Sequence, residues 1–126
     1  MLKSLLLAGL ATILTTLPGL AENWVRVTRD QSGTDYYIDA ESVQGSNVTY
    51  LFWYMSVNPK PDEQGIVATK TYLSISCPLR GSRRLLTTSF NAQGELVNRK
   101  ELGDDEPLQI FAEGSVGERL WKFVCK

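Results

Sequence analysis

The chain has 126 residues, with 13 lysines and arginines against 14 aspartates and glutamates, for a formal net charge of −1. That balance lacks the strongly basic face of a nucleic-acid binder and the polybasic patch of a membrane-surface protein, so no nucleic acid is expected as a partner. With no histidine anywhere, the commonest general base, the Ser-His-Asp and Cys-His arrangements, and imidazole ligation of zinc or haem are all removed.

The N-terminus opens on Met1-Leu2-Lys3, and from Leu5 to Leu17 no charge appears. Pro18 then breaks any helix, and Gly19-Leu20-Ala21 places small residues at the −3 and −1 positions before Glu22. This is the three-part pattern of a secretory signal, which predicts cleavage after Ala21. The alternative, a retained membrane anchor, needs about 20 apolar residues, and this run is shorter. With no cysteine near the cut, a lipoprotein signal is not available. The expected product is residues 22–126, a single soluble domain without a membrane span, secreted to the periplasm or the extracellular space. Removing residues 1–21 takes only Lys3 among the charged residues, so the near balance survives.

Both cysteines, Cys77 and Cys125, fall in the exported part. An even count in an oxidising compartment reads as a disulfide, with two free buried thiols as the alternative. No C-x-x-C is present, so the bridge reads as a structural staple.

Short strand-like runs separated by turn residues follow in chain order. Trp24 to Arg29 alternates, with Val25 and Val27 on one side and Trp24 on the other. Gln31-Ser32-Gly33-Thr34 is a turn, and Asp35 to Ile38 is a second extended run. Asp39 to Val43 predicts a single helical turn capped by Asp39, and Gly45-Ser46-Asn47 turns the chain again. Val48 to Val57 is the most apolar strand. It places Leu51, Trp53, Met55 and Val57 on one face and Val48, Tyr50, Phe52 and Tyr54 on the other. A strand apolar on both faces belongs in the middle of a sheet covered on both sides. Asn58 to Gly65 is a loop. Thr69 to Cys77 alternates with Leu73, Ile75 and Cys77 sharing a face, and Lys70, Tyr72, Ser74 and Ser76 sharing the opposite one. Arg83 to Phe90 and Glu95 to Glu101 form a hairpin through Asn91-Ala92-Gln93-Gly94.

The last segment is the clearest helix. Ser115 with Glu118 makes a capping box, and Val116, Leu120, Trp121, Phe123, Val124 and Cys125 fill one continuous arc. Cys125 thus lies on the buried face of a helix and Cys77 on the buried face of a strand. The predicted fold is α+β: one twisted antiparallel sheet of about five or six strands, with a C-terminal helix pinned across one face by a Cys77–Cys125 disulfide.

The Tyr37-Ile38-Asp39-x-x-Ser42-Val43 run, the strand ending at Cys77, the Phe90-to-Gly94 hairpin and the closing Ser115…Leu120…Val124-Cys125 together resemble the surface-adhesin protein E family, over about residues 24–125. The resemblance implies the same sheet-and-helix architecture, adhesion to host proteins, and no catalytic residues. Lacking a lipidation cysteine, the chain needs another tether for such a role.

Candidate sites follow from the same reading. If the two strands bearing them are neighbours, Tyr50, Phe52, Tyr54 and Tyr72 form a solvent-accessible aromatic platform on the sheet face away from the helix. The alternative is burial of that set by the curled sheet or by a second subunit, which leaves a homodimer open. Arg80, Arg83 and Arg84 are candidate contacts for a phosphate, sulfate or sugar acid, against the alternative of a basic hairpin tip. Asp104-Asp105-Glu106 lacks the spacing of a calcium loop and reads as a solvated turn. Asn47-Val48-Thr49 is a glycosylation sequon, meaningful only in a eukaryotic secretory pathway. The functional expectation is an exported, non-catalytic binding or adhesion module. It has no cofactor and no metal, and takes a protein or glycan ligand on the face opposite the helix. The second reading is a small envelope stress or assembly factor acting on other exported proteins.

Overall fold

Alternation becomes strands in the computed structural model, which describes residues 22–125; the expected leader, residues 1–21, lies outside them. The strands are β1 (Trp24–Arg29), β2 (Asp35–Asp39), β3 (Gln44–Gly45), β4 (Thr49–Val57), β5 (Ile66–Ser76), β6 (Gly81–Asn91), β7 (Leu96–Glu101) and β8 (Gln109–Ile110), and helix α1 (Val116–Val124) follows. All belong to one sheet, in the order β1-β2-β4-β5-β6-β7, with β3 paired to β4 and β8 to β6. Every pairing is antiparallel. The eight strands exceed the expected five or six because β3 and β8 have two residues each. A run that short carries no alternation to detect.

Three of the hairpin connections use one device. Asp30, Asp62 and Asn91 each accept two backbone amides through Oδ1, from the residues two and four positions on, at 2.9 to 3.0 Å. Three residues after each stands a glycine with positive φ: Gly33 (91°), Gly65 (81°) and Gly94 (80°). The short polar side chain replaces a backbone turn partner, and glycine supplies the left-handed backbone that completes the reversal.

The exit from β2 is locked differently. Asp39 is 5% exposed and accepts the amides of Asn23 (2.9 Å) and Glu41 (3.1 Å), capping a 3-10 turn over Ala40–Ser42. The Ser42 hydroxyl donates to the Asp39 carbonyl at 2.7 Å and accepts the Trp53 amide at 2.9 Å, which ties that turn to β4.

The core lies between one sheet face and α1. Ile38, Phe52, Leu73 and Ile75 from the sheet meet Leu120 and Val124 from the helix. At the helix N-terminus the Ser115 hydroxyl accepts the Glu118 amide at 3.2 Å. The Glu118 carboxylate reaches back one residue beyond the cap to accept the Gly114 amide at 2.8 Å. At the other end Cys77 and Cys125 form the expected disulfide, with Cα atoms 5.6 Å apart. Beside the bridge, the Trp121 indole N–H donates to the Cys77 carbonyl at 3.0 Å. The Arg80 guanidinium lies 4.3 Å from the centre of that ring while donating to Glu118 at 2.7 Å. The basic residue after β5 thus links the disulfide end of the helix to its capping end.

Candidate functional site on the two faces of β4

In an antiparallel pair, directly opposed residues share a face. Tyr50 opposes Ile75, Phe52 opposes Leu73 and Tyr54 opposes Thr71, so all three β4 aromatics point toward α1. Tyr72 opposes Trp53 and points away, with the two ring centroids 5.1 Å apart. The expected platform of Tyr50, Phe52, Tyr54 and Tyr72 is therefore split between faces, and Phe52, at 0% exposure, is not solvent-accessible. The physical reason is register: β4 positions of even number pair with β5 positions of odd number. Either face of β4 is apolar enough to accept the helix, so its own pattern does not choose between them.

The face away from α1 nonetheless carries an aromatic set, made of other residues. Tyr37, Met55 and Lys70 lie in one row across β2, β4 and β5, beside the Trp53–Tyr72 pair. Lys70 is central to this surface. Its ammonium stands 5.6 Å from the Trp24 ring centre and 5.4 Å from that of Phe90, and 3.7 Å from a Glu22 carboxylate oxygen. Both rings are half-buried. At one margin Arg29 and Arg26 converge on Asp35 at 2.7 and 3.3 Å. The Arg29 hydrogen bond holds the Asp35 carboxyl below the ordinary aspartate range. At the other margin Arg99 pairs with Glu101 at 2.6 Å. Such exposed pairs contribute little to stability and leave a polar rim around an apolar centre. Trp24 was legible as lying opposite Val25 and Val27. Trp53 and Phe90 were missed as surface residues. The available signal was that Phe52, the one large β4 ring without a polar handle, suits a dry position better than Trp53.

The arginine cluster divides. A register shift between Tyr72 and Leu73 places Arg83 opposite Ser74 on the outer face and Arg84 opposite Leu73 on the helix face. Arg83 donates to the Glu106 carbonyl and Arg84 to the Glu106 carboxylate, both at 2.8 Å, while Arg80 is committed to Glu118 and Trp121. Arg83 and Arg84 thus meet at Glu106, one at its backbone and one at its carboxylate, while Arg80 is engaged apart from them. Asp104 and Asp105 sit exposed in a 3-10 turn, and Glu106 turns inward to Arg84. Among the described residues no three acidic or cysteine side chains gather as a metal site would require.

On the helix side, a cleft of about 460 Å³ opens where the first turn of α1 faces the sheet. Tyr36, Tyr54, Arg84, Glu106, Gln109 and Phe111 are among its walls. The Tyr36 hydroxyl donates to Asp30 at 2.9 Å, and burial followed by that bond pushes its pKa up to about 12. Burial also raises Tyr54.

Residues 24–126 match the sequence model of a family described as Surface-adhesin protein E. The chain belongs to this family. No curated protein and no solved structure gives a match. Membership in the surface-adhesin protein E family points to binding of an external ligand, and with the disulfide it suggests an exported, extracellular or cell-surface protein. No helix among the described residues is long and apolar enough to cross a membrane.

Proposed function

We propose that this member of the surface-adhesin protein E family is a non-catalytic adhesion module that acts outside the cytoplasm and grips its ligand with the sheet face opposite α1. The observation that carries the reading is the cluster of Trp24, Tyr37, Trp53, Tyr72 and Phe90 around Lys70 on that face. Rigid aromatic side chains inside a polar rim supply the energetic centre of protein interfaces, and Trp and Tyr also stack on sugar rings. The helix cannot serve this face, because it is docked on the other one through Leu120 and Val124.

The test is binding of beads coated with the disulfide-bonded domain to an array of extracellular proteins and glycans. Trp53→Ala and Tyr72→Ala are each expected to weaken the captured interaction by about tenfold or more, as truncating a central aromatic anchor does. Arg119→Ala, on an exposed position of α1, is the control and should leave it unchanged. Retention of full binding by a folded Trp53→Ala, Tyr72→Ala double variant sinks the assignment of the face.

A further inference from the structure

The cleft on the helix side borders the core at Leu73 and Leu120 and has no part in the proposed adhesive face. Its shape comes from anchors at both ends of the segment that follows β7. Glu106 is held at the sheet by Arg83 and Arg84. Further on, β8 pairs with Gly81 and Ser82. The Phe111 amide then donates to the Arg80 carbonyl at 2.9 Å. The Phe111 ring lies directly on Gly117, where a Cβ would come within 2.4 Å of Cδ1. These contacts fix the segment along β6, and about 460 Å³ remains open between it, the sheet and the first turn of α1. That lies within the roughly 300–1,000 Å³ range of small-molecule sites.

The lining selects a chemistry. Part-buried Tyr54, Phe111 and Val116 give it apolar walls. Its lining also carries the Tyr36 hydroxyl, the Gln109 amide, and the Arg84–Glu106 pair joined at 2.8 Å. The opposite charges of that pair offset each other, and the two tyrosines are neutral phenols. The lining therefore offers an ion no unpaired charged side chain. A wholly apolar guest would strip water from the Arg84–Glu106 pair and return nothing for it. What matches is a neutral molecule with an apolar face and a rim carrying both donors and acceptors. A guanidinium has five N–H donors and a carboxylate several lone pairs, so the pair can serve neighbouring hydroxyls together.

We propose that this cleft binds a neutral sugar unit of about monosaccharide size, lying against Tyr54, Phe111 and Val116 with its hydroxyls toward Tyr36, Arg84, Glu106 and Gln109. The site is separate from the adhesive face, on the other side of the same sheet.

The experiment is a titration of the isotopically labelled, disulfide-bonded domain with the methyl glycosides of glucose, galactose and mannose at millimolar concentrations, followed by amide NMR. At least one glycoside should give saturable shifts centred on residues 82–84 and 109–117. Gln109→Ala and Arg84→Lys should each weaken that binding by about threefold to tenfold, the equivalent of one lost hydrogen bond. Arg84→Lys keeps the charge opposite Glu106 but loses the planar fork, so a folded protein with weakened binding points to recognition. Trp53→Ala should leave the sugar titration unchanged, which separates this site from the adhesive face whatever becomes of that reading. Three results overturn the proposal: no saturable shift with any of the glycosides, shifts centred on Trp53 and Tyr72, or tighter binding of glucuronate than of methyl glucoside.

Discussion

Phe52 and Trp53 are neighbours in sequence that face opposite sides of β4, so alanine at each position interrogates a different face. Phe52 is 0% exposed and belongs to the cluster of Ile38, Leu73, Ile75, Leu120 and Val124. Those neighbours are held by the sheet on one side and by a disulfide-tied helix on the other, and they collapse only partly into the space a missing ring leaves. Phe52→Ala is expected to cost about 3–5 kcal/mol. At roughly 4 °C per kcal/mol for a domain of this size, the melting temperature falls by about 12–20 °C. Trp53 packs against Tyr72 with one side toward solvent, so its removal opens no enclosed cavity. Losing part of its buried area and the ring pair should cost only about 1–2 kcal/mol. Urea and thermal denaturation followed by far-ultraviolet circular dichroism measure both variants against the parent. The reasoning fails if Trp53→Ala proves the more destabilising of the two, or if Phe52→Ala costs less than Trp53→Ala is expected to. Either result means that β4 presents its other face to the helix.

Replacing both cysteines by serine removes a link between positions 48 apart in sequence. The chain-entropy model puts the loss at roughly 4 kcal/mol, and hydrogen exchange should report it first as lost protection in α1. Glu118 provides a pH test. The Gly114 amide, with further help from Lys122 and Arg80, holds its folded pKa below the ordinary glutamate value. A depressed carboxyl contributes stability above its unfolded pKa, about 4.3, and that contribution is lost as the pH falls from there through the lower folded value. The urea midpoint of the parent should therefore decline across that acid window, and Glu118→Gln should flatten the decline. An identical acid profile in the two proteins would show that the capping carboxylate has no part in it.

Turn chemistry and local periodicity were legible in the sequence because both act over a few residues. The Asn91-to-Gly94 hairpin, the Asp39 cap, the Ser115 and Glu118 cap and the apolar arc of α1 all follow from short-range geometry, and the structure contains each of them. The disulfide was legible for a related reason: Cys77 shares a face with Leu73 and Ile75, and Cys125 shares an arc with Leu120 and Val124. Burying both stripes brings the two sulfur atoms together.

Side-chain alternation within a strand belongs to the chain itself, whereas the matching of one strand's faces to the next is decided by register, and only the folded sheet sets that. A slip of one residue between β4 and β5 would exchange Phe52 for Trp53 in the core, and a strand apolar on both sides leaves that choice open in its own pattern. The shift between Tyr72 and Leu73 likewise decides that Arg84 and not Arg83 takes the helix face, whereas their facing opposite ways is alternation alone. The cleft is more remote still from the sequence. It exists because Glu106 and Phe111 are anchored to β6 and α1 at separate points, and no local pattern specifies the space left between two distant anchors.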